Sequence, residues 1–319
     1  MRALTFSSFG GLEVLEYREV ADPVPQRGEL LVKMTAIGLN FADIYRRRGN
    51  YHLKGSPPFI AGYEGAGEVL DPNGSSELRS GDRVAFADVP FANAEIVAVP
   101  LDHIIPLPEH ISDRLAASLL LQGLTAHYLA TDSHPIRDGE VVVVHAAAGG
   151  VGLLLVQICK LLGAMVIGVT SSPTKKAIVE TIGADAVVLT EDWTRAVTEL
   201  TEGRGVDVVY DGVGSTLTKS LQITRNGGHV VFYGMSGGDP EPVDPRMLMD
   251  RSLTLSGGDL WHYLSSRDER MRRATVLFDW VHSKKLSIGS STTFALSDGR
   301  SAHELMESRR STGKILLIP

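Results

Sequence analysis

Two patterns of apolar and polar positions divide the chain. From Met1 to about Pro108, short apolar runs such as ELLVKMTAIGL and AEIVAV stand between Gly, Pro, Asn and Asp, which predicts β-strands joined by turns. From about Asp113, the run DRLAASLLLQGLTAHYLA has the spacing of a helix that is apolar on one face. The sequence therefore predicts a β-rich first domain and a change of architecture near residue 112.

Beyond that point, short apolar strands alternate with helical stretches. The predicted strands are EVVVVHA, MVIGVT, AVVLT, VDVVYDGV, HVVFYG and SLTLSGG. This alternation is typical of a parallel sheet with helices on both faces. The pattern predicts an α/β protein with a doubly wound parallel sheet over residues 113–285 and a β-rich domain over residues 1–112. The tail, residues 286–319, has the pattern strand, helix, strand, and we expect it to complete the first domain.

A glycine-rich turn follows the first strand of this predicted sheet. In HAAAGGVGLLLVQ, the residues Ala147, Gly149 and Gly152 stand at the three fixed positions of the dinucleotide fingerprint G-x-G-x-x-G, with alanine in place of the first glycine. Gly149 would let the backbone approach a pyrophosphate, and Gly152 would let the helix, predicted over residues 152–162, pack closely on the strand. The free N–H groups of the first helical turn would bind phosphate. A turn that only permits close packing is the alternative.

The end of the next strand indicates which dinucleotide binds. An Asp or Glu about 20 residues beyond the turn would accept hydrogen bonds from the ribose 2′-hydroxyl. Here the sequence is Val169 to Ser172, VTSS, followed by Lys175 and Lys176. Hydroxyls and cations bind a 2′-phosphate, which a carboxylate would repel. The sequence predicts NADP(H) rather than NAD(H), with lysines that are only solvated at a helix start as the alternative.

Composition narrows the class of protein. The chain has 319 residues, 43% of them hydrophobic and 22% charged, and a net charge of -7, which favours two globular domains and disfavours nucleic acid or an anionic membrane as the main partner. Cys159 is the only cysteine, so a disulfide within the chain is excluded, and we expect a cytoplasmic protein. The apolar run from Val141 to Ile158 is interrupted by glycines, which argues against a membrane span. We expect the triplet Arg46 to Arg48 on a solvated turn or helix face.

Separated blocks along nearly the whole chain resemble one family. They are GLNFADIYRRRGNY, AGYEGAGEV, GDRVAF, LLQGLTAHYL, HAAAGGVGLLLVQ, GADAVV, DVVYDGVG and ESRRSTGKILLIP. Together they resemble the zinc-free quinone oxidoreductases, relatives of zeta-crystallin within the medium-chain dehydrogenase/reductase superfamily. The resemblance implies a GroES-like β-rich domain joined to a Rossmann domain, with substrate and nicotinamide in the cleft between them. It also implies a homodimer that pairs through the edge strand SLTLSGG.

The same resemblance bears on metal binding. Zinc-dependent relatives place a Cys and a His in the blocks where this chain has Asn40 and Tyr63. Soft ligands for zinc are therefore missing from the places where the family would use them. We expect no metal.

The resemblance further implies the site residues. We expect Asn40 and Tyr45 to donate hydrogen bonds to the substrate oxygen, and Tyr51 to act as proton donor or as an aromatic wall. The alternative is that Asn40 and Asp43 cap a short helix and that Tyr45 and Tyr51 are half-buried packing residues. The expected cofactor contacts are Asn40, Tyr45, Thr125, Gly149, Gly150, Val151, Ser171, Ser172, Lys176, Thr190, Gly234, Met235, Gly257 and Gly258. Thr190 stands where relatives often have a tyrosine.

Three functions are compatible with these residues. The first is an NADPH-dependent quinone reductase, in which the cofactor passes a hydride to a quinone and the protein positions it and stabilises the oxyanion. The second is a double-bond reductase that acts on enones or enoyl thioesters. The third is an NADPH-binding protein with little turnover and a structural or regulatory role.

Overall fold

The structure is a computed structural model that describes residues 1–51 and 55–319. Its strands are β1 (Arg2–Phe6), β2 (Glu16–Glu19), β3 (Glu29–Leu39), β4 (Phe59–Ile60), β5 (Glu64–Asp71), β6 (Arg83–Phe86), β7 (Ile96–Pro100), β8 (Ile105–Pro106), β9 (Val141–Val144), β10 (Met165–Thr170), β11 (Ala186–Leu189), β12 (Val206–Asp211), β13 (Thr224–Phe232), β14 (Thr254–Gly257), β15 (Thr292–Ala295) and β16 (Ile315–Ile318). Its α-helices are α1 (Phe41–Arg47), α2 (Asp113–Tyr128), α3 (Gly150–Leu161), α4 (Pro173–Thr181), α5 (Trp193–Leu200), α6 (Leu217–Ile223), α7 (Pro245–Arg251), α8 (Leu260–Tyr263), α9 (Arg267–His282) and α10 (Gly299–Glu307).

The six predicted strands of the second half form one sheet. Its order is β11-β10-β9-β12-β13-β14, and every neighbouring pair is parallel. The chain passes outward from β9 through β10 to β11 and then crosses to β12 on the other side of β9. The predicted doubly wound sheet is therefore confirmed. In sheets of this kind, ligands bind where the order reverses, outside the carboxyl ends of the central strands, which here are β9 and β12.

Burial on both faces explains why these strands read as nearly continuous apolar runs. All six residues of β12 are buried, and so are three of the four in β9. One core cluster packs Val143, Ile167 and Val209 of the sheet against Trp193 and Leu221 of the helices. A parallel sheet covered by helices has no face exposed to solvent, so its strands do not alternate polar and apolar residues.

The other strands are mostly antiparallel. A seven-stranded sheet has the order β15-β16-β3-β5-β6-β8 with β7 also paired to β3, and a small sheet has the order β2-β1-β4. The long strand β3 carries Leu30, Val32 and Met34 into the core on alternate positions. The tail strand β16 pairs antiparallel with β3, Ile315 opposite Leu39. The tail has the predicted order strand, helix, strand.

The chain divides into two compact units. The first unit comprises residues 1–122, 264–283 and 288–319, and the second comprises residues 123–263 and 284–287. These limits differ from the predicted domains at 112/113 and 285/286, chiefly because α9 belongs to the first unit. The predicted domain limits stay a prediction. Within the described residues, none of the helices has both the length and the hydropathy that crossing a membrane requires.

The arginine triplet does not lie where the sequence predicted. Arg46 and Arg47 are 0% exposed, whereas the side chain of Arg48 is 54% exposed. The Arg47 guanidinium pairs with Glu307 on α10. The interpretation of this triplet as a solvated helix face was therefore wrong for Arg46 and Arg47, because consecutive residues of a helix point in different directions and two of these three meet the interior of the first unit.

Candidate active site

The glycine-rich turn connects β9 to α3 at the point where the strand order reverses. The helix begins at Gly150, two residues earlier than predicted, so Gly150, Val151 and Gly152 form its first turn. Gly149 is the N-cap, and its position leaves the helix without a side-chain cap. Because first-turn N–H groups have no acceptor within a helix, they can bind an anion.

The spacing inside this turn agrees with a dinucleotide-binding turn. A Cβ atom on Gly152 would lie 2.4 Å from the Ala146 carbonyl oxygen and 2.7 Å from Cα of Ala147, so only glycine fits between helix and strand. A Cβ atom on Gly149 would lie 3.1 Å from the same oxygen. Gly149 N–H donates to Ala146 at 2.8 Å, and Ala146 itself has a φ of +49°. The turn is thus tight, and an alanine is accommodated at the first fingerprint position.

The end of β10 presents hydroxyl and ammonium groups. Ser171 is exposed. Ser172 is the N-cap of α4, and its hydroxyl accepts a hydrogen bond from the Lys175 backbone N–H at 3.3 Å. The Lys176 ammonium lies 3.7 Å from Glu180 and is 42% exposed, a loose pair that leaves it accessible to an anion. Ser172 therefore has a structural role of its own, while Ser171 and Lys176 are free to take a phosphate if one binds.

The remaining predicted cofactor residues of the second unit also follow the carboxyl ends of strands of the parallel sheet. Thr190 follows β11, and its N–H donates to the Thr170 carbonyl at 2.9 Å. Gly234 and Met235 follow β13. Parallel strands end on the same edge, so all these groups lie along one edge of the sheet together with the glycine turn.

Three residues complete this group at the last strand and at α2. Gly257 ends β14, and Gly258 follows it. A Cβ atom on Gly258 would lie 2.9 Å from the hydroxyl of Tyr128, which is buried on α2, as is Thr125. Gly258 thus packs against the helix that carries Thr125.

The loop after β12 was missed by the sequence interpretation. Asp211 ends β12, and its carboxylate accepts hydrogen bonds from the N–H groups of Val213 at 2.9 Å and Gly214 at 3.1 Å. It also accepts from the hydroxyls of Thr216 at 2.8 Å and Ser220 at 2.7 Å. This carboxylate fixes a glycine-rich loop beside the β9 turn, at the reversal of strand order. The glycines of DGVG directly after a predicted strand were the signal.

His145 next to the glycine turn is a packing residue. It is 1% exposed, its Nε2 atom lies 3.0 Å from the Ser220 hydroxyl, and its ring meets Trp193 edge-on at 4.5 Å. Burial lowers the pKa of His145. These contacts hold His145 in the core of the second unit, next to the turn.

In the first unit, Asn40 begins α1 and is 3% exposed. Its Nδ2 atom donates to the Gly38 carbonyl at 3.1 Å and to Glu64 at 2.9 Å, while its Oδ1 atom accepts from Gln122 at 3.2 Å and Lys314 at 2.8 Å. Both amide hydrogens are therefore already donated within the protein. The predicted role of Asn40 as a donor to substrate stays a prediction, and it would require one of these bonds to break.

Glu64 and Lys314 form a buried ion pair beside Asn40. Their side chains are 0% and 3% exposed, and Nζ lies 2.5 Å from Oε2. Glu64 also accepts from the Leu121 backbone N–H at 2.7 Å. Burial lowers the pKa of Lys314, and the negative charge of Glu64 acts against that shift. Neither residue was predicted, because the partners are 250 residues apart in the sequence.

This arrangement does not fit a zinc ion. An ammonium and an amide surround the Glu64 carboxylate, and neither group is a zinc ligand. Across residues 1–51 and 55–319, the structure contains no group of three or more His, Cys, Asp or Glu side chains that could hold a metal ion.

Asp43 stabilises the start of α1. Its Oδ2 atom accepts from the Asn40 backbone N–H at 2.7 Å, as an acidic residue at the third helical position does in a capping box. Burial raises the pKa of Asp43 to about 7. The capping alternative for this aspartate therefore agrees with the structure.

Tyr45 and Tyr51 belong to a group of aromatic rings, which we call the tyrosine cluster: Tyr45, Tyr51 and Tyr63. The ring centres of Tyr45 and Tyr51 are 6.1 Å apart, and those of Tyr51 and Tyr63 are 6.0 Å apart, both edge to face. Tyr63 is 2% exposed, while Tyr45 and Tyr51 are half-buried. The structure thus brings two of the predicted catalytic residues together on a surface suited to a flat molecule.

Family models match both halves of the chain. The model described as alcohol dehydrogenase GroES-like domain matches residues 26–109, and the one described as zinc-binding dehydrogenase matches residues 150–274. The predicted GroES-like domain is confirmed by the first of these matches.

Individual relatives match over nearly their whole length. A quinone oxidoreductase of Pseudomonas aeruginosa is 37% identical over 100% of this chain and 99% of its own. A 2-haloacrylate reductase of a Burkholderia species is 35% identical over 97% of this chain and 96% of its own. The solved structure of Escherichia coli quinone oxidoreductase complexed with NADPH is 34% identical and covers 100% of both chains with a TM-score of 0.96. The predicted combination of a GroES-like and a Rossmann fold is confirmed.

Proposed function

Because this chain belongs to the quinone oxidoreductases of the medium-chain dehydrogenase/reductase superfamily, we propose that it is an NADPH-dependent, zinc-independent reductase of quinones. The observation that carries the proposal is the turn between β9 and α3, where Gly152 fits and a larger residue would not. This turn lies at the reversal of strand order, where such sheets bind dinucleotides. NADPH would supply the hydride.

The residues of the second unit would hold the cofactor by its phosphates. The N–H groups of Gly150 and Val151 would face the pyrophosphate, and Ser171 and Lys176 would bind the 2′-phosphate. E. coli quinone oxidoreductase, whose structure was solved with NADPH, supports this cofactor for the present chain. Thr125, Thr190, Gly234, Met235, Gly257 and Gly258 would contact the rest of the dinucleotide.

The tyrosine cluster would receive the acceptor. Tyr51 would stack against a flat ring or give it a proton, and Tyr45 would donate a hydrogen bond to the oxygen that becomes negative. Asn40 would act through its neighbours, since its amide is hydrogen-bonded to Glu64 and Lys314. The proposal that the reaction needs no zinc rests on the ion pair between Glu64 and Lys314, since an ammonium group is not a zinc ligand.

A second function deserves a test because of one relative. The 2-haloacrylate reductase, 35% identical, is named for a substrate that has a carbon–carbon double bond next to a carboxylate. A double-bond reductase acting on enones or enoyl thioesters would use the same cofactor site. A binding protein with little turnover is the third candidate.

The cofactor assignment is tested by fluorescence titration with NADPH and NADH. We expect NADPH to bind at least about tenfold more tightly, because a 2′-phosphate gains charge-assisted hydrogen bonds. Ser171→Ala and Lys176→Gln should each weaken NADPH binding several-fold without changing NADH binding. Thr181→Ala is the matched control at the far end of α4: its exposed hydroxyl donates to the Ala177 carbonyl, and its loss should leave both affinities unchanged. Equal affinities for NADPH and NADH in the wild type would contradict the assignment.

The reaction is tested by following NADPH absorbance with quinones, alkenals and enoyl thioesters. A quinone reductase should show its highest kcat/KM with quinones. Preference for alkenals or thioesters would favour the double-bond reductase, and NADPH binding without turnover of any acceptor would leave only the binding protein. Full activity of Tyr51→Phe would exclude the hydroxyl as proton donor.

A further inference from the structure

The guanidinium of Arg46 is buried without a carboxylate partner among residues 1–51 and 55–319. Arg46 is 0% exposed, and its Nε, Nη1 and Nη2 atoms make no well-formed hydrogen bond in that part of the chain; the uncharged Tyr63 hydroxyl is a weak hydrogen-bond partner of this guanidinium. Its Cζ atom lies 5.3 Å from the ring centre of Tyr63 and 4.9 Å from that of Phe91. Burial lowers the pKa of Arg46, although Tyr63 and Asp43 act against that shift. Contacts with two aromatic faces recover only part of what an unpaired buried charge costs, so packing alone does not account for this residue.

The loop that carries Phe91 is unusual as well. Phe91 has a φ of +75°, a left-handed conformation that a bulky side chain rarely adopts. Two residues later, Asn93 is 0% exposed, and both polar atoms of its side chain lack a hydrogen-bond partner in the described part of the chain. Strained backbone and unsatisfied buried polar groups concentrate at functional sites. These features lie in the same unit as the tyrosine cluster.

Arg46 is connected to the proposed acceptor site through one shared ring. The Tyr63 ring contacts the guanidinium, and it also meets the ring of Tyr51 in an edge-to-face arrangement. Arg46 also follows Tyr45 directly on α1. A cation therefore borders the aromatic surface that the proposed function assigns to the acceptor.

We propose that Arg46 binds an anionic group, a carboxylate or a sulfonate, on a flat conjugated acceptor. A guanidinium pairs with such a group through two parallel hydrogen bonds, and a site with a buried unpaired cation discriminates against molecules that leave it unpaired. The half-buried ring of Phe91, held in a strained conformation above the guanidinium, is the group that the acceptor ring displaces. This inference rests on the proposed function and narrows its substrate class to acidic acceptors.

The test compares two acceptors that differ in one charge, 1,2-naphthoquinone and 1,2-naphthoquinone-4-sulfonate. For Arg46→Met, we expect kcat/KM with the sulfonate to fall at least about tenfold relative to the wild type, and kcat/KM with the uncharged quinone to change less than about twofold. Arg46→Lys keeps the charge and should restore part of the loss. Arg48→Met is the matched control at the C-cap of the same helix: its side chain is exposed, and its kinetics should equal those of the wild type with both acceptors.

Two further measurements distinguish binding of an anionic group by Arg46 from a role of Arg46 in the stability of the fold. Arg46→Met should melt at or above the wild-type temperature, because it removes an unpaired buried charge. In the wild type, 2-naphthoate should inhibit competitively against the acceptor, and 2-naphthylmethanol of similar shape should inhibit at least about tenfold more weakly. This inhibition experiment needs no variant and therefore does not depend on how the variants fold.

The outcomes are distinct from those of the proposed function. Equal losses with both acceptors in Arg46→Met, a lower melting temperature, or equal inhibition by the acid and the alcohol would each overturn the role of Arg46. A raised KM for NADPH with unchanged acceptor kinetics would do the same, since the guanidinium would then serve the cofactor. Absence of NADPH oxidation with either quinone in the wild type would instead reject the proposed function.

Discussion

At the scale of single residues, the close approach of one backbone to another decides what the glycine turn can do. Gly152 has no room for a side chain because helix α3 packs directly on the turn. Any added atom must move the Ala146 carbonyl or the helix start. The N–H groups that would face a pyrophosphate move with that helix start.

We predict that Gly152→Ala weakens NADPH binding at least about tenfold, because the added Cβ would lie 2.4 Å from the Ala146 oxygen and displace the first turn of α3. Fluorescence titration measures the change. The matched control is Gly289→Ala, since a Cβ at Gly289 meets nothing within 4 Å in the described structure. Unchanged NADPH affinity in Gly152→Ala would argue against this turn as the pyrophosphate site.

At the scale of elements, α10 of the first unit carries a buried imidazole in an apolar setting. His303 is 0% exposed, and both ring nitrogens lack a hydrogen-bond partner within the described residues. Burial, together with the positive charge of Arg47, lowers the pKa of His303 to about 3. Its helix neighbours Ala302 and Met306 belong to the main core of this unit. The imidazole therefore weakens the packing of the helix that contains it.

We predict that His303→Leu raises the free energy of unfolding by about 1–2 kcal/mol at pH 7, because two buried polar atoms without partners are removed. The difference should widen as the pH falls below about 6.5. In that range the imidazole of the unfolded wild type becomes protonated, whereas that of the folded protein stays neutral down to about pH 3. The wild type therefore loses stability as the pH falls, and the variant does not lose this contribution. Urea unfolding between pH 7 and pH 4.5 measures both effects. His262→Gln, at an exposed histidine, is the control and should change the free energy of unfolding at pH 7 by less than about 0.5 kcal/mol.

At the scale of the whole molecule, the parallel sheet ends in the edge strand β14. Among the strands of the described residues, β14 pairs with β13 alone, so one side of β14 is an open edge of the sheet there. Edge strands of this kind pair with other chains unless they are covered or charged. The sequence TLSG offers no charge on that strand. The predicted homodimer would use this edge.

We predict that the wild type sediments at about twice its chain mass of 34.4 kDa. Thr254→Lys, on exposed β14, should shift it to the mass of one chain, because a charged side chain on an edge strand disfavours pairing with another chain. Thr292→Lys is the matched control, an exposed threonine on β15, which is the edge of the other large sheet. A wild type that sediments as a single chain would reject the homodimer.

Much of the fold could be predicted because its signals are local. The six strands of the parallel sheet, the helix from Asp113 and the strand–helix–strand tail each depend on the order of apolar residues over a short segment. The glycine turn was identified for the same reason. The predicted start of α3 lay two residues after the observed one, since glycines at the start of a helix do not show which residue begins its first turn.

The sequence by itself determined the class of sheet, the position of the glycine turn and the absence of an Asp or Glu directly after β10. Each of these depends on residues that are adjacent along the chain. Only the tertiary structure decided that Glu64 pairs with Lys314 and that Arg46 is buried while Arg48 is exposed. Such contacts join segments far apart in the sequence, and the burial of a charge depends on everything that folds around it. The pattern of residues within a short segment does not show which distant residues will pack against that segment.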